Sequence, residues 1–172
     1  MHLPPPMPFP RSGTVPAPVL GTHRVPGRSQ VPAAANADAS RLRLAQFNAM
    51  DAAYRSTQGA CDCTEVVLRL LPHCDQPISM LAHWIVDRKV VAFDWRSQTL
   101  LPLFQFQLSD MSLRPPVQHV VQELTGVLDD WDLALWFALP NHWLNLARPV
   151  DAIDNDAPAV LDAARAQRFA LA

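Results

Sequence analysis

Residues 131–153 read WDLALWFALPNHWLNLARPVDAI and hold three of the five tryptophans in the chain. The apolar side chains at the start of this stretch recur every three to four residues, which predicts a helix. Asp129 and Asp130 lie just before the helix and can cap it, while Pro140 ends it because proline cannot continue a helix. The apolar positions of this predicted helix are Trp131, Leu135, Trp136 and Leu139.

The three tryptophans of this stretch are expected to differ in burial. Trp131 and Trp136 lie on the helix of a small domain, which needs large side chains to build its core. Trp143 follows the proline break and is expected to stay partly exposed, where a tryptophan often anchors a protein interface. Further along, Pro149 suits the first position of another short helix, with Ile153 facing inward.

Residues 107–165 resemble the toxin-binding domain of the Xre/MbcA/ParS antitoxins of bacterial toxin–antitoxin pairs. The family pattern is a tryptophan-containing helix, a Pro-Asn turn, a leucine, a glycine, a proline-led helix and a last helix with a Val-Leu pair. Asn145, Leu146 and Ala147 stand where the family has the glycine, and Asn145 is the best substitute for left-handed backbone. The matching residues are Trp136, Pro140, Asn141, Leu144, Pro149, Ile153, Val160 and Leu161.

The resemblance implies a protein partner. In the family, this domain binds a RES-type toxin, which attacks NAD or transfers ADP-ribose, and the C-terminal region of the antitoxin lies over the toxin's active-site cleft. Arginines suit a cleft built for phosphates. Carried onto this sequence, the partner-binding residues are Trp143, Arg148, Arg165, Arg168 and His142.

Composition and charge are those of a globular protein. The chain has 172 residues, of which 49% are hydrophobic and 17% charged, with a net charge of −2. Residues 107–172 hold four basic and nine acidic side chains, which suits a basic protein partner, although a solvated acidic surface explains the balance equally well. No apolar run approaches the roughly 20 residues of a membrane helix, and no secretory signal begins the sequence. We therefore expect a cytoplasmic protein without a membrane span.

Residues 1–40 contain nine of the seventeen prolines and almost no large aliphatic side chains. A segment of this composition cannot form a core, so disorder or local polyproline II structure is expected. An SH3-type ligand, an inert tail and a start codon assigned too early are all compatible with it. Met50 lies close to the point where folded sequence is expected to begin.

Residues 41–106 predict a lead-in helix, two short helices and a β-hairpin. Ser40 can cap the lead-in helix. The short helices cover residues 64–71 and 78–87, and Thr64 and Ser79 can cap them. Extended apolar runs on either side of residues 96–99 predict the hairpin. The order of elements is that of a winged helix.

This module resembles small excisionase and MerR-type DNA-binding folds. Trp84 late in the second helix, the basic turn Arg88-Lys89 and the stretch Leu101-Pro102-Leu103-Phe104-Gln105-Phe106 carry the resemblance. However, residues 79–86 contain no lysine or arginine, whereas a recognition helix usually brings several cationic donors. Two interpretations remain, weak DNA binding and a degenerate module that supports the fold or a homodimer. DNA contact would use His83, Arg88, Lys89 and Arg96.

Metal binding and catalysis have little support in the sequence. Cys61-x-Cys63 and His73-Cys74 offer four zinc-type ligands, but their spacing is tighter than in zinc knuckles and a predicted helix separates the two pairs. Reduced thiols without a metal are expected. No glycine-rich phosphate loop, metalloprotease motif or nucleophile elbow is found in the sequence. We therefore expect no cofactor and no enzymatic activity.

The sequence as a whole predicts an α+β, mainly helical protein. A disordered tail covers residues 1–40, a lead-in helix and degenerate winged helix cover 41–106, and a compact toxin-binding-like domain covers 107–168. An antitoxin function follows from the resemblance. The alternatives are a DNA-binding transcriptional regulator and an orphan protein-interaction module without enzymatic activity.

Removal of residues 1–39 should leave the remainder folded, because a proline-rich segment contributes no core. Limited proteolysis followed by mass spectrometry should yield a resistant fragment that begins near residue 40. A chain starting at Ser40 that no longer unfolds cooperatively would show that this boundary is misplaced.

Overall fold

The computed structural model describes residues 33–172. Within them the fold is α+β and mainly helical, as the sequence predicts. No helix in this range is long and apolar enough to cross a lipid bilayer. The elements in chain order are α1 (Ala33–Arg55), β1 (Ala60–Asp62), α2 (Cys63–Leu70), α3 (Pro77–Val86), β2 (Phe93–Trp95), β3 (Gln98–Pro102), β4 (Phe106–Gln107), β5 (Ser112–Leu113), α4 (Pro115–Leu124), α5 (Asp130–Ala138), α6 (Pro149–Ala152) and α7 (Ala157–Leu171).

Two small antiparallel sheets accompany the helices. The larger sheet has the strand order β1-β3-β2, with Cys61 opposite Leu101, and the smaller one pairs β4 with β5. Strands β2 and β3 form the predicted hairpin. Its turn residues Arg96 and Ser97 have φ angles of 47° and 66°, the left-handed backbone that tight hairpin turns require. Strand β1 was not predicted, because three residues are too few to show a strand period.

Helices α2 and α3 lie within one residue of their predicted positions, but both of their predicted caps are wrong. The side chain of Asp62 caps α2 by accepting from the backbone N–H of Glu65 at 2.9 Å, in place of Thr64. Helix α3 begins at Pro77, so Ser79 lies inside the helix and does not cap it. Proline at the first helical position has no N–H to satisfy, which explains this start.

Helix α1 is longer than predicted and belongs to a different part of the fold. It begins at Ala33 and not at Ser40, so residues 33–40 are helical, while residues 1–32 of the predicted tail lie outside the described residues. Met50 and Tyr54 of α1 are buried together with the helices of the C-terminal half. The lead-in helix that we grouped with residues 41–106 therefore packs with the predicted C-terminal domain.

The larger core lies between α1, the hairpin and helices α4 to α7. Tyr54 is fully buried there, and its hydroxyl donates a hydrogen bond to the backbone carbonyl of Ala134 on α5. Burial raises the pKa of this hydroxyl, so Tyr54 remains a donor at every physiological pH. The largest fully buried side chains of this core are Tyr54, Phe137, Met50, Leu124, Leu133 and Ile153.

A second, smaller core lies under β1, α2 and α3. It contains the strand, two helices and hairpin of the part of the sequence that we interpret as a winged helix, and that interpretation stays a prediction. Its buried members are Cys61, Val66, Leu70, Leu81, Val90, Ala92, Leu101, Leu103, Phe106 and Met111.

Gln105 lies between the two cores and is only 2% exposed. Its side-chain oxygen accepts from the backbone N–H of Val91 at 2.7 Å, and its side-chain nitrogen donates to the carbonyls of Val91 and Pro102, each at 2.9 Å. The amide thus pairs with Val91 as a neighbouring strand would. Buried backbone N–H and carbonyl groups need hydrogen-bond partners. The Gln105 side chain supplies both partners for Val91, which lies in no strand.

Arg88, which follows α3, also connects the region of the smaller core to the C-terminal helices. Its guanidinium donates to the carbonyls of Thr125 and Leu128, after the end of α4, and to the carboxylate of Asp130, at the start of α5. The backbone of Arg88 has a φ of 50°, a left-handed conformation that costs free energy for a residue with a side chain. The three hydrogen bonds offset that cost, and we call this arrangement the Arg88 clasp.

Replacement of Gln105 by leucine should lower the free energy of unfolding by about 3 kcal/mol, since both backbone groups of Val91 lose their buried partner. Urea denaturation of Gln105→Leu against the wild type measures the difference. The matched control is Gln107→Leu at an exposed position, which should change stability by less than about 0.5 kcal/mol. Equal losses in both variants would contradict the role assigned to Gln105.

Candidate functional site

An apolar cleft lies beside Trp143 in the C-terminal half. It has a volume of about 290 Å³ and lies between α5, the turn after it and the end of α7. We call it the Trp143 cleft. Its lining residues are Leu128, Asp132, Leu135, Trp136, Leu139, Pro140, Asn141, His142, Trp143 and Gln167.

Helix α5 forms the floor of the cleft because it is apolar on more than one face. Leu133, Ala134 and Phe137 point into the larger core, while Leu135 and Trp136 are only partly buried and line the cleft. The helix is held at its start by the predicted cap, since the carboxylate of Asp129 accepts from the backbone N–H of Asp132 at 2.7 Å. A helix that is apolar all round has to be covered on every side, and the cleft is the side that the fold leaves partly open.

The turn after Pro140 is closed by hydrogen bonds around Asn141. The side-chain oxygen of Asn141 accepts from the backbone N–H of Trp143 at 2.9 Å. The backbone N–H of Asn141 donates to the carbonyl of Ala147 at 3.0 Å. Asn145 has φ 52° and ψ 40°, which confirms the predicted left-handed backbone at this position. Leu146, with φ 66°, continues it. The turn therefore has a defined shape and presents Trp143 at its tip.

The predicted exposure is confirmed for Trp131 and Trp143, whereas Trp136, which was predicted to lie in the core, is only partly buried and lines the cleft. Trp131 is buried, Trp136 is partly buried against the larger core, and Trp143 is 65% exposed. His142, beside it, is also exposed. A large aromatic side chain held in water by a hydrogen-bonded turn is a typical feature of a protein interface.

The five predicted partner-binding residues lie at three separate places. His142 and Trp143 line the cleft. Arg148 lies at the start of α6, where its guanidinium pairs with the carboxylate of Asp151. Arg165 and Arg168 lie on the face of α7 next to α4.

The two arginines of α7 share one acidic partner. Glu123 of α4, whose side chain is mostly buried, pairs with Arg168 at 2.8 Å and with Arg165 at 3.3 Å. Asp162 also pairs with Arg165, at 3.1 Å. The positive charge on this face is therefore largely balanced within the fold. The two arginines line a second hollow together with His119 and Gln122.

The four predicted DNA-contact residues are mostly engaged elsewhere. Arg88 forms the clasp described above, and Lys89 pairs with Asp87 at 2.9 Å. The guanidinium of Arg96 lies over the ring of Trp95, 5.5 Å from its centroid. His83 is exposed on α3. Contact with DNA stays a prediction for these residues, but the structure gives Arg88 an internal role that its charge alone did not indicate.

The three cysteines are free thiols. Burial raises the pKa of Cys61 and of Cys63, which keeps both thiols protonated and weakly nucleophilic. Among residues 33–172, histidine, cysteine and acidic side chains form no group of three that could hold a metal ion.

The sequence did not single out Leu128 or Gln167 as parts of the cleft. They lie outside residues 131–153, and Gln167 comes from the last helix. No local pattern brings residues so far apart in sequence together, since their proximity depends on how α7 packs against the rest of the fold. The exposed tryptophan was predictable, whereas the concavity beside it was not.

Similarity to known proteins assigns no family to the chain. No family model matches it, and neither a curated protein nor a solved structure is significantly similar to it. The geometry of the Trp143 cleft and the resemblance of residues 107–165 are therefore the basis for assigning a function.

The turn that presents Trp143 depends on the left-handed backbone at Asn145. Asn145→Ala should lower the free energy of unfolding by about 1 kcal/mol, because alanine is disfavoured at positive φ. Asn145→Gly should stay within about 0.5 kcal/mol of the wild type, since glycine adopts this conformation freely. Thermal and urea unfolding measure both. Asn155→Ala, at an exposed asparagine without positive φ, is the control, and an equal loss there would contradict the explanation.

Proposed function

We propose that the chain is an antitoxin-type protein that binds and neutralises a RES-type toxin, an enzyme that consumes NAD, through its C-terminal helices. The observation that carries the proposal is Trp143, 65% exposed at the rim of an apolar cleft. The proposed activity is binding, and the chain performs no chemistry of its own.

The cleft has the composition of an interface centre. Trp136, Leu135, Leu139 and Pro140 give it an apolar floor, and tryptophan is among the residues that contribute most to binding energy. The hydrogen-bonded turn holds the backbone of Trp143 in place before a partner arrives, so little backbone entropy is lost on binding. We infer that a partner inserts an apolar side chain between Trp136 and Trp143.

The charge around the cleft favours a basic partner surface. Asp132 lies on the rim and Asp129 lies at the start of α5, while the charge of neighbouring Asp130 is paired with Arg88. Complementary charges mainly accelerate association and exclude partners of the wrong sign. This acidic rim disfavours nucleic acid at the cleft and agrees with the excess of acidic side chains in residues 107–172.

The positions that carry the family resemblance also fit the proposal. Trp136, Pro140 and Asn141 line the cleft. A diverged family member would keep these residues if the same surface still bound a toxin. The other matching positions are buried or packed against the larger core: Leu144, Pro149, Ile153, Val160 and Leu161.

Arg165 and Arg168 provide a second contact area in this proposal. Glu123 already balances much of their charge, so a phosphate-binding toxin cleft would have to compete with this carboxylate. We therefore assign the larger share of the binding free energy to Trp143 and a smaller, salt-dependent share to the two arginines.

The experiment is co-purification of the chain with the product of an adjacent RES-type gene, followed by calorimetric titration of the pair. Trp143→Ala should weaken binding by at least about 2 kcal/mol, roughly thirtyfold in Kd, because it removes the anchoring ring. Arg165→Ala with Arg168→Ala should weaken it less, and the loss should shrink at high salt. The toxin's NAD consumption in the same mixture reports neutralisation.

The matched control is Leu42→Ala on α1, whose side chain is 61% exposed and remote in sequence from the cleft. It should bind as the wild type does. Circular dichroism checks that every variant is folded. Equal binding by Trp143→Ala and the wild type would place the contact surface elsewhere, and an intact chain that captures and inhibits no RES-type protein would refute the antitoxin function.

A further inference from the structure

Helix α3 exposes an apolar stripe on the side that faces away from its core. Ile78 is 71% exposed and Val86 is 80% exposed, and Ala82 between them is also exposed. The three residues are four apart, so they lie along one side of the helix. We call them the α3 stripe. No residue of the described chain covers these side chains.

The rest of α3 carries almost no charge. Its sequence PISMLAHWIV contains no acidic residue, no lysine and no arginine, and His83 is its one ionisable side chain. A surface helix normally places charged residues on its solvent side, and a helix that reads DNA places cations there. The α3 stripe therefore has the chemistry of a surface that leaves water on contact with another apolar surface.

We propose that two copies of the chain associate through the α3 stripe, with the two helices antiparallel about a two-fold axis at Ala82. The order of side chains, large, small and large, reads the same in both directions. An antiparallel pair therefore sets Ile78 of each copy against Val86 of the other. Ala82 meets itself at the axis, where its small side chain permits close approach. A two-fold interface requires such a self-complementary surface. The proposed dimer does not depend on the proposed toxin partner.

The charges at the two ends of α3 also favour the antiparallel arrangement. Gln76 precedes the helix and makes no side-chain cap, so the first-turn N–H groups of α3 have no side-chain acceptor there. Asp87 follows the last residue of the helix and is exposed, where it pairs with Lys89. In an antiparallel pair each Asp87 approaches the positive end of the other helix, whereas a parallel pair would set Asp87 against Asp87.

The size of the surface sets the strength of the association. A helix of this length spans about 15 Å, and α2, which packs against α3, also carries exposed Leu68 and Leu71. Together they are smaller than the roughly 800 Å² per partner of a stable interface. The dimer should therefore be weak and dependent on concentration.

The test is sedimentation velocity of the full-length chain over a concentration series, with light scattering as a second measure of mass. Ile78→Lys and Val86→Glu should each weaken self-association at least about tenfold, because the two-fold axis repeats every substitution. The double variant should regain much of the lost affinity. In an antiparallel pair the introduced lysine at position 78 of each copy faces the introduced glutamate at position 86 of the other, so two ion pairs form. Phe169→Lys, at an 88% exposed apolar residue of α7, is the control and should associate as the wild type does.

Both single substitutions are at exposed positions, and thermal unfolding should show wild-type stability. A monomeric wild type over the whole series would overturn the proposal. Single variants that associate as well as the wild type would overturn it too. A double variant as weak as the single ones would overturn the antiparallel arrangement. Toxin binding by Trp143→Ala is measured separately, so failure here and failure of the antitoxin function are distinguishable.

Discussion

The structure depends on the burial of α5. Its core-facing side chains, Leu133, Ala134 and Phe137, are almost fully covered by α1, the hairpin and the C-terminal helices. A short helix would be marginal alone in water, so this packing stabilises it. Because Pro140 stops the helix where it reaches the surface, the chain must turn there, and the turn carries Trp143 outward. The candidate binding surface is thus a consequence of how a buried helix ends.

Aromatic contacts connect α1 and the hairpin to the start of α5. Phe47 stacks on Trp95 with ring centroids 4.2 Å apart, and Trp95 lies 6.0 Å from Trp131. The guanidinium of Arg43 covers the other side of this group, 3.6 Å from the ring centroid of Trp131, and the indole N–H of Trp131 donates to Gln46. Together with Gln105 and the Arg88 clasp, these contacts join the two cores into one body. Side-chain contacts therefore cross the predicted boundary at residue 106.

Local signals in the sequence predicted local structure. The cap at Asp129, the stop at Pro140 and the left-handed backbone at Asn145 all depend on neighbouring residues, and all were predictable. Contacts between residues far apart in the sequence were not predictable. The apolar period of α1 indicates a helix but does not say which core receives it, and the charge of Arg88 suggests DNA because its acceptors lie about forty residues away. For the same reason the exposure of Trp143 was predictable and the cleft was not.

The Arg88 clasp has a further consequence, because it joins the two surfaces to which binding is assigned. Arg88 lies two residues beyond the end of α3, and one of its acceptors is the carbonyl of Leu128, whose side chain lines the Trp143 cleft. The clasp thereby ties the C-terminal end of α3 to a residue of the cleft wall. Any effect of occupancy at α3 on affinity at the cleft is accompanied by an equal factor in the reverse direction, since thermodynamic linkage is reciprocal. If both proposed surfaces bind, the Arg88 guanidinium is the contact through which their occupancies would be coupled.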